Sequence, residues 1–298
     1  MQLDYFIVDV FTETVFQGNP LAVVFNTAAL DTGQMQAIAR EFNLSETVFI
    51  ERRSLEQERA EGVRVRIFTT AEELNFAGHP TLGTASVLKV HAPETLHGHT
   101  VTLAENVGPI PVHFIDESLY GEMTQRDPEF GAELDPAEVA RLIGLDPNDL
   151  DPTLPPQVVS TGTAFAIVAL RTASSLQNLQ VNQQQATPWL RERVARWFYV
   201  LGPDTIRDPK GQHRQWRARM QFYGGEDPAT GSAAGCAISY LVARGVVPSA
   251  TRMHLRQGIE IGRPSDLFLS AHREMSKVTD VRVAGSTAFA AKGQLFQP

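Results

Sequence analysis

The chain has a single cysteine, Cys236, in 298 residues. One thiol excludes an internal disulfide framework and leads us to expect a reducing compartment. Positive charge is also scarce: 26 Lys and Arg against 34 Asp and Glu leave a net charge of −8. A chain so acidic is not drawn to nucleic acid or to an anionic membrane surface, so neither partner is expected. A small anionic ligand stays compatible, because it needs only local positive potential. No apolar run approaches the roughly 18 residues of a membrane span. The stretch Met1 to Tyr5 has neither a basic nor an apolar targeting segment, so no signal peptide is expected and the cytoplasm is the expected location. Several sharp motifs are missing too. There is no Gly-x-x-x-x-Gly-Lys-Ser/Thr phosphate loop. Ser232 lies in Gly231-Ser232-Ala233-Ala234-Gly235, which is not a nucleophile elbow. His97-Gly98-His99 has no acidic or cysteine cluster beside it, so no metal is expected.

What is present is ordinary globular material, 43% apolar and 20% charged, enough for one large domain or two smaller ones. Tyr5 to Phe11 and Leu21 to Phe25 read as strands, with turn chemistry at Gly18-Asn19-Pro20 between them. Asp31 followed by Gln34 has the form of a capping box. Met35, Ile38, Ala39 and Phe42 then recur at amphipathic-helix spacing, up to Asn43. Thr47 to Glu51 and Arg64 to Phe68 read as strands. Pro80 stands where a first helical residue is expected, and an apolar helix continues from Thr81 to Val90. Short strands follow between Thr100 and Met123, and Asp127-Pro128 forms a break. Beyond it, Asp135-Pro136 opens a short helix that Gly144 stops. Asp146 to Pro156 reads as a loop, Val158 to Ser160 and Ala164 to Leu170 as strands, and Trp189 to Arg196 as a helix. Trp216 to Tyr223 reads as a strand, and two more lie between Val278 and Phe296.

The two halves echo each other. Gly18-Asn19-Pro20 leads into one apolar strand and Gly162-Thr163-Ala164 into another; Gly78-His79 and Gly231-Ser232 each open an apolar helix. A duplication would set two helix starts in equivalent positions facing each other across a cleft. Strands and helices do not alternate regularly, so a two-domain α+β architecture fits better than a doubly wound sheet.

Three places combine residue types able to do chemistry. In Asn43-Leu44-Ser45-Glu46-Thr47 a carboxylate between a helix and a strand could be half-buried and act as an acid/base near neutral pH; an exposed surface glutamate fits the same residues. In Gly78-His79-Pro80 a histidine at a helix start could donate to an anion or shuttle a proton, or could simply cap the helix. In Glu226 to Gly235, Asp227 could orient a substrate amine or hydroxyl while the amides after Gly231, at the positive end of a helix, hold a carboxylate. The alternative is a capped turn closed by Asp227 ahead of Pro228. Cys236 lies inside the apolar helix and reads as a small core residue.

Taken in order, these segments resemble the PhzF-type phenazine-biosynthesis isomerases, relatives of diaminopimelate epimerase. The likeness runs over nearly the whole chain. It takes in Gly18-Asn19-Pro20, Met35 to Glu41 leading to Asn43-Leu44-Ser45-Glu46-Thr47, Arg66-Ile67-Phe68-Thr69, Phe76 to Pro80, Glu226 to Gly235 and Gln257 to Ser265. The resemblance implies an α+β fold of two pseudo-equivalent domains, each a curved sheet around a central helix, with the active site in the cleft between them. The domains would be 1–127, completed by a C-terminal strand at about 285–298, and 128–284. It implies a homodimer without metal or organic cofactor, acting on a small carboxylate. Glu46 matches the family's acid/base; His79, Asp227 and Ser232 match groups that line the substrate, with the backbone at Gly78 and Gly231. The implied reaction is isomerisation of trans-2,3-dihydro-3-hydroxyanthranilate. An epimerase or racemase of a related amino acid, and a non-catalytic small-molecule binder, are the other readings. The cysteine pair of the diaminopimelate epimerases is missing, which speaks against a two-thiol racemase. The segment 221–225 looks shortened relative to the phenazine enzymes.

Overall fold

A computed structural model describes residues 2–207, 214–222 and 225–296. Tyr223 and Gly224, the end of the strand expected from Trp216 and part of the shortened segment, lie outside the described residues. The chain divides into two compact units, Met1–Thr124 with Ala284–Pro298, and Gln125–Val283.

The first unit holds strands β1 (Gln2–Val10), β2 (Asn19–Val24), β3 (Glu46–Glu51), β4 (Val63–Phe68), β5 (Glu73–Leu74), β6 (Thr100–Glu105), β7 (Gly108–Phe114) and β8 (Gly121–Thr124). Its helices are α1 (Thr32–Phe42), α2 (Leu55–Glu61) and α3 (Gly78–His91). β1 pairs antiparallel with β2, β2 parallel with β3, β3 antiparallel with β4, β4 parallel with β6, and β6 antiparallel with β7. The last strand of the chain, Thr287–Phe296, returns to this unit and pairs antiparallel with β1. α1 begins with the expected capping box: Asp31 Oδ1 accepts from the Gln34 amide at 2.9 Å and Gln34 Oε1 from the Asp31 amide at 3.0 Å. α3 is apolar all round and buried from Gly78 to Leu88, as a helix enclosed by a sheet must be. Gly83 permits that enclosure. A Cβ there would lie 2.7 Å from both Leu21 Cδ2 and Val10 Cγ2, so only glycine lets the helix settle onto β1 and β2.

The second unit repeats the plan. Its strands are β9 (Glu129–Glu133), β10 (Gln157–Ser160), β11 (Ala164–Ala169), β12 (Phe198–Arg207), β13 (Arg214–Arg219), β14 (Gln221–Phe222), β15 (Gly225–Glu226), β16 (Met253–Gln257), β17 (Ser265–Glu274) and β18 (Lys277–Gly285). Its helices are α4 (Pro136–Ile143), α5 (Gln183–Glu192) and α6 (Gly231–Ala243). From β10 to β17 the pairings run antiparallel to β11, parallel to β12, antiparallel to β13, parallel to β16 and antiparallel to β17. β9 flanks β10 antiparallel, as the chain's last strand, β19 (Thr287–Phe296), flanks β1. The sequence of pairings is the same in both units, so the internal echo is a real duplication and the fold is α+β. α6 is the counterpart of α3, and both begin at the glycine that the echo aligned.

Among the expected helices, two differ in their bounds. The helix placed at Trp189 to Arg196 is α5, which starts at Gln183 with Asn182 as its cap. Pro188 stands inside it, and a proline reads as a boundary because it lacks an amide donor and crowds the preceding turn. α3 starts at Gly78, two residues before Pro80, with Ala77 as N-cap.

Candidate active site

In the first unit the end of α1 delivers Glu46. Asn43 takes the left-handed conformation at φ 52° and its amide closes on the Ala39 carbonyl, turning the chain out of the helix. Asparagine tolerates that region better than most residues. Three residues later Glu46 opens β3, opposite Leu21 of β2, rather than lying in the linker before it. Its side chain is 16% exposed and that of His79 5% exposed, with His79 Nε2 3.3 Å from Glu46 Oε2. The carboxylate is thus half-buried, and the surface-glutamate reading fails.

His79 sits within the first turn of α3 and does not cap it, since Ala77 holds the N-cap position. Its Nδ1 lies 3.2 Å from the side-chain amide nitrogen of Asn19, which is fully buried at the start of β2. An amide nitrogen only donates, so Nδ1 accepts and the single proton of a neutral ring rests on Nε2, facing Glu46. Burial pushes the His79 pKa down to about 3. A carboxylate neighbour ordinarily favours the imidazolium, but here desolvation outweighs it. Asn19, His79 and Glu46 therefore stand in line, with Nε2 facing the carboxylate at 3.3 Å but no hydrogen bond closed between Nε2 and Oε2.

In the second unit the loop ahead of α6 is held with comparable care. Asp227 is 8% exposed, and its Oδ2 accepts from Thr230 Oγ1 at 2.6 Å. Thr230 is the N-cap residue of α6, yet its hydroxyl serves Asp227 instead of a helix amide. The fully buried Gln257, last residue of β16, ties this loop together. Its Nε2 donates to the Asp227 carbonyl at 2.8 Å and to Thr230 Oγ1 at 3.0 Å. Its Oε1 accepts from the Thr230 amide at 3.1 Å and from the Tyr199 hydroxyl at 2.9 Å. Just upstream, Arg219 grips Glu226 with two hydrogen bonds, at 2.8 and 2.5 Å, and gives a third to the Leu176 carbonyl at 2.6 Å. Gly231 and half-buried Ser232 open α6, and the Gly231 carbonyl accepts from Gln125 Nε2 at 2.9 Å. Cys236, one turn further on, is fully buried beside Thr161, and burial pushes its thiol up to about 11. That thiol is a core residue.

The structure thus gathers Glu46, Gly78 and His79 in one unit, and Asp227, Gly231 and Ser232 in the other. Sequence reasoning missed Asn19, Thr230 and Gln257 as functional support. In sequence Asn19 reads as turn chemistry, and nothing in a lone Gln257 signals four simultaneous hydrogen bonds. Among the described residues no group of three or more His, Cys, Asp or Glu is placed to hold a metal ion. No helix of the described residues is long and apolar enough to cross a membrane. Chemically, a half-buried carboxylate beside a neutral imidazole can take a proton from an acidic carbon and give it back.

Known proteins share both the sequence and the fold. A family model described as phenazine biosynthesis-like protein, PhzC-PhzF, matches residues 8–293. A trans-2,3-dihydro-3-hydroxyanthranilate isomerase of Pseudomonas fluorescens is 32% identical over 298 residues, covering 98% of this chain and 99% of the relative. Among solved structures, a predicted epimerase from Pseudomonas aeruginosa superposes with a TM-score of 0.81 at 34% identity, over 99% of each chain. A PhzF-family phenazine biosynthesis protein of Bacillus anthracis superposes with a TM-score of 0.85 at 24% identity, again over 99% of each.

Proposed function

Since the chain belongs to the PhzF, phenazine biosynthesis-like family of the diaminopimelate epimerase-like superfamily and is an isomerase of that family, we propose that it shifts a proton on trans-2,3-dihydro-3-hydroxyanthranilate with Glu46 as its acid/base. The reaction needs no metal or organic cofactor. The observation that carries this reading is the Glu46 carboxylate, half-buried and 3.3 Å from Nε2 of a buried, neutral His79. Glu46 takes the proton from an acidic ring carbon, the electron pair moves into the conjugated system, and the same proton returns at another carbon. Atoms and charge balance without a co-reactant. His79 faces the carboxylate and, with Asp227 and Ser232, fixes the polar groups of the substrate. The backbone at Gly78 and at Gly231 contacts the ligand, and the helix start at Gly231 favours its carboxylate. One acid/base in place is worth roughly 10²–10⁴ in rate. The rest is asked of positioning and preorganised dipoles. The same reading makes the protein a cytoplasmic homodimer, which light scattering on the purified chain would check.

The test is turnover of trans-2,3-dihydro-3-hydroxyanthranilate by wild type and by Glu46→Gln. Loss of roughly 10²–10⁴-fold in kcat by the variant is expected. Undiminished turnover by the variant, or none by wild type, overturns the assignment. Run in deuterated water, the isomerase returns part of the original proton to product. An epimerase would instead wash solvent deuterium into a racemising amino acid.

A further inference from the structure

Outside this site, the first unit buries a second carboxylate that the mechanism does not use. Glu105 is the last residue of β6 and is 5% exposed. Its Oε1 lies 2.6 Å from Thr81 Oγ1, and Thr81 Oγ1 lies 2.8 Å from the Ala77 carbonyl oxygen. Its Oε2 is buried without a hydrogen-bond partner among the described residues. A threonine hydroxyl has one proton, and a carbonyl can only accept. If Thr81 donates to Ala77, the shorter contact needs its proton from Glu105.

The second unit solves the same problem with an amide. Leu103 of β6 stands opposite Val63, and Leu255 of β16 stands opposite Trp216, in the two parallel pairings that correspond. Two residues further along each strand come Glu105 and Gln257. Gln257 Nε2 donates to Thr230 Oγ1, and Thr230 passes its own proton to Asp227. The polarity is strand-end donor, threonine hydroxyl, then an acceptor at the helix start. A protonated glutamic acid has the shape of glutamine and supplies the same donor.

We propose that Glu105 is a positioning residue that works as a neutral carboxylic acid. Its proton drives a one-way chain from Glu105 through Thr81 to the Ala77 carbonyl, locking the first turn of α3, the turn that carries His79. When the proton leaves, Thr81 must swing its hydroxyl to the anion, and Ala77 loses that hydrogen bond. Burial supports the acid form, pushing the Glu105 pKa up to about 8 against the opposing pulls of the Thr81 hydroxyl, which can also donate to the anion, and of Arg64 on β4. The other charges around it leave that balance intact. Arg64 is itself committed to the Ala104 carbonyl and to Asn106 Oδ1, Glu51 of β3 lies 3.8 Å from its Nε, and His79 in the same turn of α3 is neutral.

The activity arm of the test rests on the assignment of Glu46 and His79; an infrared arm does not. The wild-type-minus-Glu105→Gln infrared difference spectrum at about pH 7 should show the carbonyl stretch of a buried carboxylic acid, fading as pH rises through about 8. In Thr81→Val the same band should remain but move, because its hydrogen-bond acceptor is gone. Absence of the band in wild type at neutral pH, or a band untouched by Thr81→Val, overturns the proposal. On substrate, Glu105→Gln should match wild type at neutral pH within about threefold and keep that rate at about pH 9, where wild type has lost about tenfold. An alkaline limb shared by both proteins would overturn the positioning role. Should the variant not fold, the Thr81→Val spectrum still decides. Should the substrate not be turned over, the infrared result stands by itself.

Discussion

Replacing His79 by Gln tests the neutral imidazole on which the candidate site is built. Burial takes the ring from an ordinary value of 6.5 to about 3. Between those values the folded protein leaves the ring unprotonated while the unfolded chain protonates it. The unfolded state therefore binds the extra proton, and stability falls as pH falls through that window. Each unit of pH well below 6.5 is worth about 1.4 kcal/mol, so acidification from about 6.5 to 4.5 costs wild type roughly 2 kcal/mol through this one group. Glutamine keeps a polar side chain beside Glu46 and has no proton to gain. The assay is urea unfolding of both proteins at several values between about pH 7 and pH 4.5, read as the difference in free energy so that other titrating groups cancel. Wild type should lose its advantage over His79→Gln at about 1.4 kcal/mol per pH unit below 6.5. A constant difference would mean that the native ring is already an imidazolium paired with Glu46. The assignment of Nδ1 as the acceptor from Asn19 would then be wrong, and with it the neutral ring beside the carboxylate.

Gln257→Leu removes a side chain with four hydrogen bonds and strands Tyr199 and Thr230 in a buried setting, so its urea midpoint should drop by the equivalent of at least about 3 kcal/mol. Gly83→Ala forces a methyl to within 2.7 Å of Leu21 and Val10, an overpacking that should cost about 1–3 kcal/mol in the same assay. Cys236, buried and with its thiol pushed up to about 11, should resist iodoacetamide in the native protein and react fully in denaturant. Rapid native labelling would show that α6 opens far more easily than its packing implies.

Much of this molecule could be read from its residues because local chemistry decided it. Asp31, Gln34 and Asn43 set the two ends of α1, and Asp135 with Gly144 set those of α4, each through hydrogen bonds or a left-handed turn that only a few residue types supply. Less could be read where the decisive partner is remote. β12 opens with an apolar run, Phe198 to Leu201, that pairs parallel with β11 and is buried on both faces, so it lacks the alternation that marks a half-exposed strand. β17 does alternate, with Leu267, Leu269 and Ala271 inward, but its pairing with β16 spans a turn that carries no hairpin signature of its own. Within the site, Glu46, His79 and Asp227 were visible as chemistry-bearing residue types. Asn19 and Gln257 were not, since their roles come from groups 60 and 58 residues away, His79 and Tyr199.

The duplication also bears on how many bases the site can have. Glu46 opens β3 opposite Leu21, the third residue of β2. In the second unit the third residue of β11, Ala166, stands opposite Phe198, which opens β12. The place that holds a carboxylate in one half therefore holds a buried phenyl ring in the other. His79, next to the glycine that opens α3, likewise corresponds to Ser232 beside the glycine that opens α6. Two units built to one plan thus hold a carboxylate and an imidazole in the first where the second has a phenyl ring and a hydroxyl. A racemase that removes a proton from one face and delivers another from the opposite face would have to recruit His79 or Asp227 as its second base. His79 already accepts from Asn19 through Nδ1 and carries its proton on Nε2, so taking up another would create a cation that its burial opposes. Asp227 has a carboxylate oxygen already committed to Thr230 at 2.6 Å. The asymmetry supports one base that both takes and returns the proton, and so an isomerase in preference to an epimerase.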